Sequence, residues 1–361
     1  MKEYNIGVIK EDCRILAQNV DISNFKDKKI LIVGANGLIG GFLADFCCFL
    51  NDSFSANIEV VLTSYSAKNS ANRVKHLLKR QDTRYFSWDC SLPANSDDIG
   101  EIDDVFFCAG YGQPGKFLKD AVKTTLINIV GVNSLLEHMQ KNGGGNFMFL
   151  SSSEVYGSPD NKNIPTPEDY VGLSLPENNR DCYIQSKKTG ELLCRLYNQE
   201  KNMNVKVARV ALTYGPGVFR DDQRALQNFI FKAEKNNSIN LLDQGNSIRN
   251  YLYITNSAEI LINILYNGSN DVYNVGGDTE EITILQLAKK IGKIVNVKVT
   301  TPKEGNDISK HIVFAPTRVA LDMTRYRKEF SSYQKNIVSL DQGLKKLINW
   351  FNIEAHENKI H

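Results

Sequence analysis

Gly34, Gly37 and Gly40 follow an unbroken apolar run at residues 30–33 and precede a second apolar stretch that reaches Leu50. A β-branched run without polar alternation belongs in a strand buried on both faces. The glycines then let the chain turn sharply into a helix whose first amides stay open. Open amides and the positive end of a helix suit a pyrophosphate, so Gly34, Asn36, Gly37, Leu38, Ile39 and Gly40 are candidate contacts for a dinucleotide. From residue 30 to 50 only Asp45 is charged, which is the length of a membrane span, but Gly34, Asn36, Gly37, Gly40 and Gly41 interrupt it. Strand, turn and helix is the better reading, and no membrane partner is expected.

Similar apolar runs recur at residues 58–63, 105–110, 147–153 and 205–210, separated by helical patterns such as 118–140 and 182–201. That alternation predicts an α/β fold, a doubly wound parallel sheet over residues 29–215. Residues 1–28 read as a polar N-terminal extension with one short helical stretch at 11–18. Past residue 215 the pieces shorten: helical at 224–235, 257–266 and 282–291, extended at 249–254 and 272–277. Residues 216–361 therefore read mainly as a smaller α/β substrate-binding lobe, able to exchange segments with the first domain. Leu340, Leu344, Leu347, Ile348 and Phe351 recur at helical spacing and predict a packing helix near the end.

Composition removes several function classes. With 42% hydrophobic and 23% charged residues, the 361-residue chain is an ordinary globular one. A balance of 43 Lys and Arg against 41 Asp and Glu leaves no field to grip nucleic acid. Seven cysteines without paired spacing fit a reducing compartment, and the five histidines show no metal-ligand spacing, so no metal is expected. No basic start followed by an apolar run opens the chain, and a cytoplasmic location is expected.

Chemistry should gather beyond the strand ends, where a doubly wound sheet opens its crevice. The acidic residue that would hold an adenosine ribose after the second strand is absent from residues 63–68. Ser64, with Lys68 and Arg73 downstream, leaves acceptance of a 2′-phosphate open, so NADP stands beside NAD. Asp89 either bonds adenine or caps the next segment, and Ala109 lies at the end of the apolar run 105–110. Gly110, Gly112 and Gly115 repeat the glycine spacing, but Pro114 and the lack of a clear helix start make that stretch a loop. Ser151, Ser152 and Ser153 supply hydroxyls at the next strand end, and Glu154 supplies a carboxylate. Tyr183 and Lys187 lie one helical turn apart on one face, where the ammonium would favour phenolate and give a base near neutral pH. Tyr197 and Lys201 repeat that spacing further along the helix, where packing is the simpler role.

Gly34, Gly37, Gly40, Ser152, Tyr183 and Lys187, in that order, resemble the extended short-chain dehydrogenase/reductases, the epimerase/dehydratase group that modifies nucleotide sugars. The likeness runs over residues 29–351 and is supported by Asn128, Tyr214-Gly215-Pro216, residues 245–253 and residues 273–277. It implies a Rossmann fold, a tightly held NAD or NADP, a nucleotide-diphosphate sugar as partner and a homodimer built through paired helices. It also implies a catalytic triad of Ser152, Tyr183 and Lys187, the last two touching the cofactor as well. Asn128 joins the implied cofactor contacts, while Arg249, Arg224 and Ser153 would meet the substrate, Arg249 at its pyrophosphate. Glu154 resembles the decarboxylase and dehydratase members rather than the epimerases, and Leu212 stands where most members have Asn. The implied reaction is transient oxidation at sugar carbon 4, then 4,6-dehydration or decarboxylation assisted by Glu154. A 4-epimerase, a 4-ketoreductase and a non-catalytic NADP-binding interaction protein are the alternatives.

Overall fold

The computed structural model describes residues 3–67, 72–172, 180–277, 280–302, 316–331 and 337–359. Helix α1 (Glu3–Ala17) leads into β1 (Lys29–Val33), α2 (Leu38–Phe54), β2 (Glu59–Ser64) and β3 (Thr83–Ser87). The single turns α3 (Ser96–Ile99) and α4 (Pro114–Phe117) flank β4 (Asp104–Phe107), and α5 (Ala121–Leu126) and α6 (Val132–Lys141) follow. Next come β5 (Asn146–Ser152), α7 (Asp181–Lys201), β6 (Asn204–Val210) and the short β7 (Thr213–Tyr214). The remainder alternates α8 (Ala225–Asn236), β8 (Ser238–Asn240), β9 (Ile248–Asn250), β10 (Leu252–Tyr253), α9 (Ile254–Asn267) and β11 (Val272–Val275). It closes with β12 (Glu281–Thr283), α10 (Ile284–Val295), β13 (Lys298–Thr300), β14 (Arg318–Val319), α11 (Thr324–Glu329) and α12 (Leu340–Lys359).

Seven strands form one parallel sheet in the order β11-β6-β5-β4-β1-β2-β3. Side chains of β1 alternate between two cores: Ile30 and Ile32 enter one, Leu31 and Val33 the other. Both faces are covered, which is why these strands read as continuous apolar runs. From β1 the chain proceeds outward through β2 and β3, then returns to β4 on the other side of β1. The strand order therefore reverses between β1 and β4, and a crevice opens at their C-terminal ends.

Three local readings change in the structure. Residues 272–275, expected in the smaller lobe, return to the main sheet as β11, with Val272 opposite Val207 and Val275 opposite Val210. The N-terminal helix starts at Glu3 rather than residue 11, and it buries Ile9, Cys13 and Leu16 in the larger core. Asp12, fully buried on that helix, accepts a hydrogen bond from Tyr253 Oη at 2.6 Å and pairs with Lys346 of α12. The helix expected over 118–140 is broken into α5, a π-helical turn over Ile127–Gly131, and α6. Gly131 lets this segment pass close to Cys90, whose carbonyl oxygen would stand 2.7 Å from an added Cβ. Among the described residues, no helix is long and apolar enough to cross a membrane.

Candidate active site

A cavity of about 530 Å³ opens at the strand-order reversal. Its floor is the glycine turn. Gly34 has φ +83°, and an added Cβ there would meet Ala109 N at 2.8 Å. At Gly40 an added Cβ would meet Gly34 O at 2.6 Å. Only a chain without side chains at both points can fold this tightly against the end of β4. Gly37 caps α2 without a side-chain hydrogen bond, so the amides of its first turn remain for a ligand, and Leu38, Ile39 and Gly40 line the cavity. These features fit a dinucleotide pyrophosphate.

At the far end of the cavity Ser64 donates to Tyr85 Oη at 2.7 Å, and Tyr85 in turn donates to Ser66 O at 2.6 Å. Asp89 lines the wall and also caps the next segment, accepting from Ser91 N at 3.1 Å and Ser91 Oγ at 2.6 Å. Lys123 reaches Asp89 at 2.7 Å and lies 3.7 Å from the Tyr65 ring centroid. Arg73, considered above for a 2′-phosphate, is not on this wall. It is 2% exposed, and its Nη2 pairs with Asp45 of α2 at 2.6 Å. The buried carboxylate has drawn the guanidinium inward. Lys68, the other cation considered, lies outside the described residues.

Ser152 ends β5, and Tyr183 and Lys187 face it from the first two turns of α7. The Tyr183 hydroxyl is hydrogen-bonded to Ser152, and its ring stacks on Phe117 with centroids 5.0 Å apart at 10°. Burial pushes the Tyr183 phenol up to about 12, against the pull of Ser152. Burial likewise lowers Lys187 to about 7. Lys187 Nζ lies 5.9 Å from the Tyr183 ring centroid. Lys187 Nζ is directed to Leu150 O at 2.6 Å, so desolvation dominates both groups. Asn128 does not line the cavity. Its Nδ2 donates to Ser186 Oγ at 3.0 Å, while its buried Oδ1 has no partner and sits under Gly110 beside Lys187.

Glu154 and Ser153 line the other end of the cavity with Leu212 and Arg224. Arg180, at the start of α7, grips both oxygens of Glu154, with Nη2 at 2.7 and 2.8 Å and Nε at 3.1 Å. Arg224 pairs with Asp222 at 2.6 Å. Arg249 stands behind the wall, donating to Ile248 O at 2.7 Å, and burial lowers its pKa. The residues missed in the sequence are Arg180, Lys116 and Phe117. Arg180 had a signal: it lies three residues before Tyr183, one turn away on the same face. Phe117 and Lys116 follow Pro114, which opens the turn α4 rather than prolonging a loop. Tyr197 donates to Asn133 Oδ1 at 3.2 Å, away from the cavity. Among the described residues, no group of three or more His, Cys, Asp or Glu could hold a metal ion.

The model of the NAD dependent epimerase/dehydratase family matches residues 30–276. The chain is 26% identical to UDP-glucuronic acid decarboxylase 1 of Danio rerio over 332 residues, 91% of this chain and 73% of the relative. Its identity to UDP-glucuronic acid decarboxylase 1 of Arabidopsis thaliana is also 26%, over 326 residues, 90% of this chain and 70% of the relative. In fold it is similar to UDP-glucuronic acid 4-epimerase from Bacillus cereus, solved with UDP-glucuronic acid and NAD, at a TM-score of 0.73 and 22% identity, covering 90% of this chain and 99% of that one. The dTDP-glucose 4,6-dehydratase of Bacillus anthracis, solved with NAD, gives a TM-score of 0.70 at 19% identity, covering 91% and 98%. The seven-stranded parallel sheet, the glycine turn beneath α2 and the matching of residues 30–276 agree. This chain belongs to the NAD-dependent epimerase/dehydratase family of nucleotide-sugar enzymes.

Proposed function

We propose that the chain oxidises carbon 4 of a nucleotide-diphosphate hexuronate and then decarboxylates it. The observation that carries this reading is the two-point grip of Arg180 on Glu154. A carboxylate with both oxygens held by a guanidinium must break that ion pair before it can reach the carbon-bound proton that 4,6-dehydration requires. Decarboxylation of a β-keto acid requires no such base. Ser153 also stands where a second acid would serve the leaving 6-hydroxyl. The decarboxylases among the relatives support the same choice.

Bound NAD would supply the hydride acceptor at carbon 4 and return the hydride later, held by Gly34, Gly37, Gly40 and the open amides of α2. Tyr183 takes the proton of the sugar 4-hydroxyl, and Ser152 orients that oxygen through its hydrogen bond to Tyr183. Lys187 keeps a positive charge beneath both. The bond between carbons 5 and 6 then breaks, its electron pair moves to the 4-keto oxygen, and carbon dioxide leaves. Hydroxyls of Ser152 and Tyr183 hydrogen-bond the resulting enolate until carbon 5 takes a proton. Arg224, paired with Asp222, lines the end of the cavity where an anionic substrate would lie, and its guanidinium would have to be shared with that substrate. Burial of Arg73 favours NAD over NADP. With UDP-glucuronic acid and NAD, product mass should fall by carbon dioxide; an isomer of unchanged mass, or loss of water from UDP-glucose instead, would overturn the assignment.

We further propose a homodimer through α5 and α7. Val122 and Leu126 lie four residues apart on α5, and Val122 is 73% exposed; Leu118 in the turn before α5 and Leu192 of α7 are each 45% exposed. Exposed apolar residues at this spacing on adjoining helices fit a helical seam with a second copy. Val122→Glu should convert a dimer to a monomer in sedimentation equilibrium. A wild-type monomer at micromolar concentration would remove the proposal.

A further inference from the structure

Three consecutive residues of β5 are held by three residues of α7, each one helical turn from the next. Ser152 bonds Tyr183, Leu150 O accepts from Lys187 Nζ at 2.6 Å, and Ser151 Oγ donates to Glu191 Oε1 at 2.5 Å. Tyr183, Lys187 and Glu191 are thus rungs at i, i+4 and i+8. The first two line the cavity, and Glu191 does not. Glu191 is instead locked from the next strand: Arg209 of β6, in register with Ser151, reaches it with Nη2 at 2.7 Å and Nε at 3.0 Å. Arg209 Nη1 also donates to Tyr156 Oη at 3.0 Å, and Tyr156 donates to Asn274 of β11 at 2.6 Å. The third rung is therefore fixed across three neighbouring strands.

We propose that Glu191 is a positioning residue: through Ser151 and Arg209 it sets the end of β5 against α7, and it holds a negative charge one helical turn below Lys187. This rests on the reading of Ser152, Tyr183 and Lys187 as the reacting group. The ionisable groups acting on Lys187 are Cys108, beyond β4, and Glu191 and Cys194 on α7. Burial holds both thiols protonated, Cys108 up to about 12 and Cys194 well above its usual range. Glu191 is then the anion that counters the desolvation of the Lys187 ammonium. Tyr183 faces a different set, Glu154, Arg180 and Arg224. Neutralising Glu191 should act on Lys187 first.

Protein labelled with ¹³C at lysine Cε reads this directly and needs no substrate. One signal should titrate near pH 7 and vanish in Lys187→Met, and in Glu191→Gln its midpoint should fall by about one pH unit. Glu191→Asp, which keeps the charge, should return the midpoint toward wild type. With UDP-glucuronic acid and NAD, Glu191→Gln should lower kcat about tenfold with little change in KM, since the reacting groups lose register rather than substrate contacts. An unmoved midpoint, or no lysine titrating below pH 9, overturns the proposal. A variant that is merely less stable but keeps wild-type kcat and midpoint also overturns it. Tyr183→Phe measured alongside separates the two readings: activity retained there defeats the assignment of Tyr183, whereas the titration of Lys187 still decides the part of Glu191.

Discussion

Tyr183→Phe loses turnover by about 10²–10⁴-fold while NAD binding stays near wild type, the range expected when a positioned proton acceptor is removed. Only one oxygen is deleted. The stack on Phe117, with centroids 5.0 Å apart at 10°, is a ring contact that Phe keeps, so α7 retains its seat. The glycine turn and the open amides of α2 lie on β1 and α2, away from the lost hydroxyl. Ser152 loses its hydrogen-bond partner, and the sugar hydroxyl loses the group that would take its proton. Product mass spectrometry measures the first effect, and calorimetric titration with NAD measures the second. Turnover within tenfold of wild type would remove Tyr183 from the reaction; loss of NAD binding as well would mean that the hydroxyl holds the cofactor and does not only move the proton.

What the sequence makes legible is whatever local periodicity encodes. The strands β1, β2, β4, β5 and β6 are buried on both faces, so each leaves an apolar run with little polar alternation. The glycine turn is legible because Gly34 and Gly40 meet backbone at distances no side chain tolerates. Pairing partners are not encoded locally. Residues 272–275 look like any short strand, and nothing in them says that they add to β6 rather than to the lobe. The π turn at Ile127–Gly131 keeps a helical hydrophobic pattern and is equally invisible. Side-chain direction is harder still. Lys187 follows Tyr183 at helical spacing, but whether its ammonium turns to the phenol or to Leu150 O depends on β5. Arg249 likewise turns to Ile248 O, although its sequence setting suggested an open cation. Arg180 was legible in principle, since it precedes Tyr183 by one turn, yet its pairing with Glu154 joins residues 26 positions apart.

Arg73 shows what such distant pairing does for stability, and Asp45→Ala is the substitution that exposes it. Asp45 is a buried residue of α2, where Arg73 Nη2 meets one carboxylate oxygen and His76 Nε2 the other, both at 2.6 Å. Burial pushes the Asp45 carboxyl up, but Arg73 and His76 outweigh it and hold its pKa below the usual carboxylate value. Removing Asp45 leaves a guanidinium that is 2% exposed, with Nε and Nη1 already unpartnered, without its counter-charge. The cost should be about 3–5 kcal/mol, the range for stranding one member of a buried pair. Urea unfolding at pH 7 measures it. Asp45→Leu combined with Arg73→Met should recover most of the loss, because it removes both charges and keeps the volume. The sign with pH follows from the depressed pKa: the contribution is present above the unfolded value of about 3.9 and disappears as pH falls through the folded value. The gap between wild type and Asp45→Ala should therefore narrow in acid. NAD affinity should weaken in the same variant, because Arg73 N donates to Asn36 Oδ1 at 2.9 Å and its side chain packs against Gly41 and Gly217, on both sides of the glycine turn. A stability loss below about 1 kcal/mol, the ordinary value for an exposed pair, would show that Arg73 had found another counter-charge.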